Sequence, residues 1–462
     1  MIEAHRQTRW AHFANVILGL WLISSPFTLG YLDMDPQSVG KGLQRLAAER
    51  DLPSIGTRNL LMAWSDILSG ALIVIFGLLS VSHRLRWAQW ANTFVGVWLL
   101  CAPLVFWTPS AAAYANGTFV GALVIAFAIL VPPMPGMSAA AMADPADIPT
   151  GWQYCPSTWL QRSPVIILAL VGLFISRYLT AYQLGHIETA WDPFFGTGTM
   201  DIIGSDVSRA WPVADAGLGT ITYMLEMLMG FMGDRRRWRT MPWMVIIFGI
   251  LIVPLGGVSI FFIVIQPIVI GTWCTLCLIA AAAMVIMLPY TVDEVLATVQ
   301  FLGESRRRGK SLWRVFWHGE AQVGGTQDPD PEFYAPPLTV MKRMFQGGVH
   351  VPWTLLLVSG IGVWLMFTRL LFGTAGPMAD SDHVVGALAL TIAVTAMAEV
   401  ARPLRLVNVA FGLWLIAAPW LLDGASLTAS IASVAAGALL AALSLPRGAV
   451  RQHYGGWDRY II

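Results

Sequence analysis

The sequence has few charged residues. They make up 12% of its 462 positions, and hydrophobic residues make up 56%, whereas a soluble domain is typically about 25% charged. This composition excludes an ordinary soluble domain and predicts an all-α polytopic integral membrane protein. The net charge of +1 gives no reason to expect nucleic acid or an acidic protein as a partner.

Cysteine is also scarce, with four in the chain. This number excludes a disulfide scaffold and a multi-cysteine zinc domain. Cys101 and Cys155 stand alone and are given no role, but Cys274 and Cys277 are three residues apart. On a helix both sulfurs of such a pair lie on one face, so they can form a disulfide or bind one metal ion. No nearby His or Cys completes a tetrahedral metal site, and we predict none; two buried cysteines acting as small apolar side chains are the other interpretation.

The surroundings of the pair favour redox chemistry. Gln266-Pro267 precedes it, and Pro suits the first turn of a helix, so we expect both cysteines about two turns into a helix that ends near Leu288. A position near a helix N-terminus favours the reactive thiolate. No charged residue occurs from Met241 to Tyr290. The dithiol is therefore predicted at a membrane surface, where it could exchange electrons with a lipid-soluble carrier.

Twelve apolar runs are long enough to cross a membrane. They lie near residues 10–31, 59–81, 87–107, 115–132, 164–184, 212–232, 241–265, 268–289, 351–372, 382–400, 405–422 and 426–445. The first run lacks a small-residue cleavage site, so we interpret it as a retained span and not as a signal peptide. With both termini in the cytoplasm, the Lys and Arg clusters fall on the inner side, as the positive-inside rule requires. The outer segment from Leu32 to Arg58 also holds basic residues, but an equal number of acidic residues balances them. This topology predicts a multi-pass inner-membrane protein with the dithiol on the outer, periplasmic side, where thiols can be oxidised.

A sequence repeat lies on both sides of the dithiol region. An Asn, a Gly, a Trp and a Pro recur at constant offsets, as Asn15, Gly19, Trp21 and Pro26; Asn92, Gly96, Trp98 and Pro103; and Asn408, Gly412, Trp414 and Pro419. A weaker copy keeps Gly362 and Trp364 but has Val358 for the Asn and Arg369 for the Pro. The following span of each copy contains Gly-Ala-Leu, starting at Gly70, Gly121, Gly386 and Gly437. The pattern predicts four two-helix hairpins, two before and two after a middle block.

These hairpins are expected to serve packing, since we find no ionisable residue that recurs in them and Gly suits close helix contacts. They resemble the SPW-repeat family of bacterial membrane proteins, whose Ser-Pro-Trp reads here Ser25-Pro26-Phe27, Ala102-Pro103-Leu104 and Ala418-Pro419-Trp420. That resemblance implies no chemistry. The predicted domains are repeat hairpins at 1–133, a cytoplasmic linker at 134–163, a four-span block at 164–290, a second cytoplasmic linker at 291–350, repeat hairpins at 351–446 and a cytoplasmic tail at 447–462.

The middle block resembles a second family. It has a loop serine at Ser205, a Pro and a Gly-x-Gly at the start of the next helix, a turn rich in Arg, and then the Cys-x-x-Cys. In this order the features resemble the vitamin K epoxide reductase family. The resemblance implies a four-helix bundle that holds a quinone, such as menaquinone, ubiquinone or a vitamin K-like quinone, beside a helical dithiol.

The resemblance also implies roles for individual residues. Cys277 would lie nearest the quinone, and Cys274 would exchange with an incoming thiol. Asp215, counted from Tyr223, falls where some relatives have an Asn that contacts a quinone carbonyl, and these two residues with Ser205 are the candidate quinone-binding set. Two other interpretations stay open: Asp215 as a water-facing residue at a helix N-terminus, and Ser205 as a helix cap.

The block departs from the family in one respect. Relatives usually carry a second cysteine pair in the outer loop, but no cysteine occurs between Cys155 and Cys274, and Thr199 stands where one is expected. One hypothesis is a membrane thiol-disulfide oxidoreductase in which a thioredoxin-like protein on the outer side delivers electrons directly to Cys274. The other is a non-catalytic membrane scaffold or transport protein with a degenerate reductase-like block. Membrane lipid is a partner in both.

Overall fold

The computed structural model describes residues 2–32, 40–130, 136–328, 332–344 and 349–461. The protein is helical over these ranges, and they contain three isolated β-bridges but no strand. The chain divides into two compact units, residues 1–137, 169–233 and 274–276, and residues 138–168, 234–273 and 277–462. The domain boundary predicted between residues 133 and 134 lies outside the described residues.

The first repeat region contains five helices. They are α1 (Arg9–Thr28), α2 (Lys41–Glu49), α3 (Ile55–Ser80), α4 (Ala88–Val105) and α5 (Ala111–Ile125), with short helices at Ile2–Gln7 and His83–Leu85 and a π-turn at Ala126–Leu130. Helix α1 packs against α3, and α4 against α5. A Cβ atom on Gly19 would lie 2.6 Å from the carbonyl oxygen of Gly70, and one on Gly96 would lie 2.9 Å from that of Gly121. The repeat glycines are therefore the points where the two backbones of each hairpin touch.

The middle block also contains five helices. They are α6 (Trp159–Gln183), α7 (Gly198–Ile203), α8 (Asp215–Phe231), α9 (Pro242–Ile265) and α10 (Thr275–Arg307), with short helices at Ala139–Ala143, Asp206–Arg209 and Arg237–Thr240. In the first unit, α6 and α8 meet at a hydrogen bond of 3.1 Å between the hydroxyls of Thr180 and Thr220. In the second unit, a Cβ atom on Gly249 of α9 would lie 2.6 Å from Val295 of α10.

The second repeat region repeats the hairpin contacts of the first. Its helices are α11 (Trp353–Met366), α12 (Gly376–Thr395), α13 (Val407–Leu421) and α14 (Leu427–Ser444), with shorter ones at Thr368–Phe372 and Glu399–Leu406. Short helices also occur before the region, at Leu312–His318 and Pro337–Met344, and after it, at Gly455–Tyr460. Cβ atoms on Gly386 and Gly412 would each lie 2.5 Å from a carbonyl oxygen, that of Gly362 and that of Gly437. The predicted weak copy, α11, therefore forms a hairpin like the others.

The repeat Trp residues join one hairpin to the next. The indole of Trp98 donates to Ser65 over 2.9 Å and that of Trp414 to Ser381 over 2.8 Å. Each acceptor stands five residues before the Gly-Ala-Leu glycine of the neighbouring hairpin. Trp21 donates to Asn116, which has the same offset from Gly121. The hairpins of each region thus pair with a common geometry.

The expectation that no ionisable residue recurs in the repeats is wrong. Asp66 and Asp382 each stand four residues before a Gly-Ala-Leu glycine, and both are fully buried. Tyr31 donates a hydrogen bond to Asp66, and Thr368 donates one of 3.0 Å to Asp382. Burial of a carboxyl group requires such donors, so the recurring Asp is a structural feature of the first hairpin in each region.

A helix overlaps each of the twelve predicted spans. Among the helices described, nine are long and apolar enough to cross a membrane by length and composition, and Trp353–Met366 is a shorter apolar helix. The all-α polytopic membrane class is confirmed, while the count of twelve spans stays a prediction.

Polar segments of the second unit form a folded layer, which we call the polar cap. It comprises residues 138–158, 234–240, 291–328, 397–406 and 447–461. The Arg237 guanidinium is buried and binds both carboxylate oxygens of Glu294, at 2.5 and 2.6 Å. Arg239, also buried, donates to the carbonyl of Ala146 at 2.8 Å. These arginines, predicted as topology signals in a loop, are thus internal contacts, and the segments predicted as linkers and tail pack together.

Candidate redox site

Cys274 and Cys277 form a disulfide. Residues Gln266–Ile270 make a π-turn at the end of α9, Gly271 adopts a left-handed conformation with φ of 86°, and α10 begins at Thr275. Cys274 therefore directly precedes the helix, and Cys277 lies in its first turn. The predicted start of this helix at residue 268, with the cysteines two turns inside it, is wrong because the chain turns at Gly271, where a left-handed residue ends the preceding helix. The helix also runs to Arg307, beyond its predicted end near Leu288.

This position places the disulfide at the positive end of the helix dipole. The N–H groups of the first turn have no acceptor within the helix itself, and their partial positive charge favours a thiolate nearby. The pair therefore lies near a helix N-terminus, as predicted, although the helix begins at a different residue. Within the described ranges, no group of three or more His, Cys, Asp or Glu side chains is placed to hold a metal ion.

The two sulfurs differ in exposure. Cys274 is fully enclosed, at 0% exposed, whereas Cys277 is half-buried. The cover over Cys274 includes α7, whose Thr199 hydroxyl oxygen lies 3.5 Å from the Cys274 sulfur. A loop cysteine is expected at the position of Thr199, and Thr199 contacts the Cys274 sulfur from that position. An incoming thiol reaches Cys274 only if this cover moves.

Asp192 links the loop to the start of α10. Its carboxylate accepts hydrogen bonds from the Thr275 amide at 3.0 Å, the Thr275 hydroxyl at 2.5 Å and the Thr199 hydroxyl at 2.7 Å. The amides of Phe194 and Phe195 bind the same carboxylate within the loop. Burial alone would raise the pKa of the Asp192 carboxyl, but hydrogen bonds from Thr275, Phe195 and Thr199 outweigh it and hold the pKa below its usual range. Asp192 is thus a fixed anion at the N-terminus of the dithiol helix.

The predicted quinone-binding residues occupy the start of α8 and the loop before it. Asp215 is the first residue of α8, and its Oδ1 accepts from the Gln183 side chain and from Ser208 at 2.9 Å. Ser205 caps the short helix Asp206–Arg209, accepting from the Ser208 amide at 3.3 Å. Ser205 thus caps a helix, and its contact with a quinone stays a prediction. Asp215 is a helix N-terminal residue whose carboxylate is held by two side chains.

Tyr223 lies deeper in α8. It is buried, and its ring covers Gly172 of α6, where a Cβ atom would clash with it. One turn further along α8, Glu226 is fully buried, and neither of its carboxylate oxygens has a hydrogen-bond partner among the described residues. Sequence reasoning missed Glu226, although an acidic residue within an apolar helix is a recognisable signal of function.

Residues of the second repeat region reach the segment that precedes the dithiol. Arg369 donates to the carbonyl of Pro267 at 3.1 Å, and the ring of His383 hydrogen-bonds the carbonyl of Ile263 at 3.2 Å. Trp273 packs against Phe367, with ring centroids 5.7 Å apart. The sequence signal for Arg369 was its place in the repeat, where the other copies have Pro.

Together, the fold and the site define a helical, multi-pass membrane protein with a disulfide at the start of a long apolar helix. In comparison with protein families, residues 163–292 match the vitamin K epoxide reductase family, and residues 53–131 and 352–446 match the SPW repeat domain. The chain therefore contains a vitamin K epoxide reductase family domain between two SPW repeat regions, as the sequence motifs predicted. No curated protein and no solved structure matches the chain. The family domain supports membrane thiol-disulfide oxidoreductase activity in general terms.

Proposed function

We propose that the protein oxidises the dithiol of a thioredoxin-like partner at the outer membrane surface and transfers the electrons to a membrane quinone. The observation that carries this proposal is the Cys274–Cys277 disulfide at the start of α10, inside the family match and next to a segment without charge. A disulfide in this position is the oxidised state that a partner thiolate can attack.

The proposed reaction balances in two steps. A partner thiolate attacks one sulfur of the pair, giving a mixed disulfide, and the second partner thiol then displaces it; the partner becomes a disulfide and the pair becomes two thiols. Re-forming the disulfide releases two electrons and two protons, which a bound quinone accepts. Cys274 is proposed as the sulfur that meets the partner and Cys277 as the sulfur nearer the quinone.

The residues at the start of α8 are compatible with a quinone ring. From Met241 to Tyr290 the chain carries no charge, which suits a segment in contact with lipid. Asp215 would supply the polar contact to the ring and Tyr223 a buried wall, while Ser205 fixes the loop by capping it. The unpartnered carboxyl of Glu226 is a group in this block that can hold a proton.

The proposed membrane orientation is supported by α10 and the polar cap. From Cys277 to Glu294 this helix rises by about 26 Å, close to the thickness of the hydrocarbon core. The dithiol and the cap would then lie at opposite membrane surfaces, and the Arg-rich cap belongs inside. This argument proposes an inner-membrane protein with cytoplasmic termini and the dithiol outside.

Labelling of single cysteines tests this orientation. Phe194 in the loop is 80% exposed and Trp313 beyond the cap end of α10 is 72% exposed. A membrane-impermeant maleimide should label Phe194→Cys in intact cells and Trp313→Cys only after lysis. The opposite pattern would remove the oxidising compartment from the proposal.

The reaction is tested with full-length protein in membranes. Cys277→Ser should abolish quinone reduction and accumulate a mixed disulfide with the partner, visible as a reductant-sensitive adduct on a gel. Cys274→Ser should abolish quinone reduction without an adduct. If the adduct forms with Cys274→Ser instead, the half-buried Cys277 is the sulfur that receives the partner, and the two roles are exchanged.

A non-catalytic scaffold is the second candidate function. It is favoured by the complete burial of Cys274 and by Thr199 in the place of a loop cysteine. Unchanged quinone reduction in both cysteine variants would decide for it, since Cys101 and Cys155 are separate from the site.

A further inference from the structure

We propose that Asp192, held against the first residue of α10, lowers the reduction potential of the Cys274–Cys277 pair by placing a fixed negative charge beside Cys274. The inference deepens the proposed function, on which it rests for its purpose, but its measurement requires neither quinone nor partner. Asp192 would be a positioning residue, because it acts through Thr275, Thr199 and the helix terminus.

The first step is geometric. Helix α10 exposes N–H groups at its first turn, and such groups normally stabilise a nearby anion. Here the amide and the hydroxyl of Thr275, the residue between Cys274 and the rest of the helix, both bind the Asp192 carboxylate. The anion at this helix terminus is therefore a carboxylate from a distant loop and not the Cys274 thiolate.

The second step concerns Thr199. Its hydroxyl has one hydrogen, and the oxygen lies 2.7 Å from Asp192 and 3.5 Å from the Cys274 sulfur. The shorter, charge-assisted contact is the stronger hydrogen bond, so the hydrogen points to Asp192. The Thr199 hydroxyl therefore gives no hydrogen bond that would stabilise a Cys274 thiolate.

The third step is electrostatic. The Thr199 oxygen contacts both the Asp192 carboxylate and the Cys274 sulfur, and a negative charge this near a thiol opposes its ionisation. Burial of Cys274 strengthens that effect because water does not screen it. Stabilised thiolates make a dithiol a weak reductant, as in strongly oxidising members of the thiol oxidoreductases. Asp192 has the opposite influence. It makes the reduced pair a better electron donor, which suits a pair that must reduce an acceptor in the membrane.

The test is the equilibrium of the full-length protein with glutathione, in which two glutathione thiols reduce the disulfide and form oxidised glutathione. Asp192→Asn and Asp192→Ser both keep a cap acceptor but remove the charge. Each should increase the ratio of dithiol to disulfide about tenfold at a fixed glutathione ratio, which corresponds to about 30 mV for a two-electron couple. Trapping the thiols with a mass-tagged alkylating reagent measures this ratio.

A matched control is available in the same loop. Asp201 of α7 is exposed and accepts a hydrogen bond from Thr197 at 2.8 Å. Asp201→Asn should leave the ratio unchanged. An equal shift in this control, or no shift in the folded Asp192 variants, would overturn the inference.

The wild-type protein supplies a measurement that needs no Asp192 variant. After reduction, the pH dependence of alkylation gives the pKa of the more acidic thiol of the pair. The inference requires this pKa to be at or above the ordinary cysteine value despite the helix N-terminus, and a strongly lowered value would contradict it. These outcomes are independent of quinone reduction by the cysteine variants, so the inference and the proposed function can fail separately.

Discussion

The two SPW repeat regions share their internal contacts but hold different parts of the middle block. In both, backbone touches backbone at the repeat glycines, and an indole joins one hairpin to the next. Among the described residues, the outward contacts of the two regions involve different parts of the middle block. The comparison shows that the repeat pattern specifies a hairpin pair, while the departures from the pattern specify what each pair supports.

The first region supports the outer loop through its insertion. Arg50, which follows α2, donates to the carbonyls of Trp211 at 3.0 Å and Ser208 at 3.3 Å. Trp107 donates to the carbonyl of Pro212 at 3.1 Å. A buried cluster joins the insertion to α4, α5, α6 and the start of α8, with Leu43, Leu46, Leu104, Trp107, Tyr114, Leu184 and Ala214. The additional residues between Trp21 and Gly70 thus cover the loop that contains the candidate quinone-binding residues.

The second region supports the segment before the dithiol. Arg369 and His383 bind the carbonyls of Pro267 and Ile263 where the end of α9 is distorted into a π-turn. Carbonyls in such a turn lack regular helical partners, and a cationic donor satisfies one of them. The repeats were expected to serve packing alone. These contacts place them next to the redox site.

The largest effect is expected from the shared glycine contacts. Gly19→Ala and Gly412→Ala each push a Cβ atom into a backbone carbonyl, so the helices must separate, at a cost of about 1–3 kcal/mol in each region. Gly360→Ala, in α11 with open space around it, is the control and should be neutral or slightly stabilising. Thermal unfolding in detergent measures all three. A loss of stability in only one region would show that the two hairpin pairs are not equivalent.

The next effect concerns the contact with the dithiol segment. Arg369→Ala removes the donor to the Pro267 carbonyl and should loosen this segment. A hydrogen bond from a charged group is worth about 1.5–3 kcal/mol before solvent exposure weakens it. A small reductant should therefore reduce the disulfide several-fold faster in this variant. Arg50→Ala, its counterpart in the first region, should change the rate less because its partners lie in the loop. Asp380→Asn removes the ion pair of Arg369 but keeps its hydrogen bond to Pro267, so it is the control for loss of the ion pair alone. Equal rates of disulfide reduction in all three variants would show that neither repeat region influences the redox site.

The order of helices and hairpins could be predicted from the sequence because the sequence patterns that indicate them are strong and local. Long apolar runs located the helices, and the constant glycine offsets marked the positions where backbones touch. The recurrence of Asp66 and Asp382 was also readable from the sequence, because both follow a Ser and precede a Gly-Ala-Leu at one spacing. In the second helix the predicted repeat was defined by its Gly-Ala-Leu alone, and the Asp four residues earlier was missed because it occurs in two of the four copies.

The details of the site could not be read from the sequence. A Pro after Gln266 suggested a helix start, yet the left-handed Gly271 decided the boundary through a backbone conformation that the sequence does not state. The contacts of Asp192 with Thr275 and Thr199 join residues 83 and 7 positions away. Asp-Pro in a loop indicates only a turn. The burial of Arg237 depends on Glu294, 57 positions away, and charged runs give no sign of such pairing.

The thiol assays can be interpreted only if Cys155, in the polar cap, does not react with the alkylating reagent. Burial raises the pKa of the Cys155 thiol, so the neutral thiol persists at and above neutral pH, and the sulfur is fully enclosed. Cys155 should therefore resist alkylation up to about pH 9, against an ordinary cysteine pKa of about 8.5, and react only after denaturation. Mass spectrometry of the alkylated peptide measures this. Labelling of native Cys155 would mean that the cap opens, and the reduction rates of Arg369→Ala would then need the Cys155→Ala background.

The smallest expected effect is a difference in stability between variants of the two repeat Trp residues of the second region. Trp414 donates to Ser381, but the corresponding position for Trp364 is Ala432, and Trp364 packs edge-on against Phe372 instead. Trp414→Phe should lose about 0.6 kcal/mol, the typical worth of a side-chain hydrogen bond within a membrane, beyond any loss in Trp364→Phe. Adding Ser381→Ala to Trp414→Phe should cost nothing further if the hydrogen bond is the cause. Equal losses in the two Trp variants would assign the repeat Trp to ring packing, and the pairing of the hairpins would then rest on the glycine contacts and the apolar surface around them.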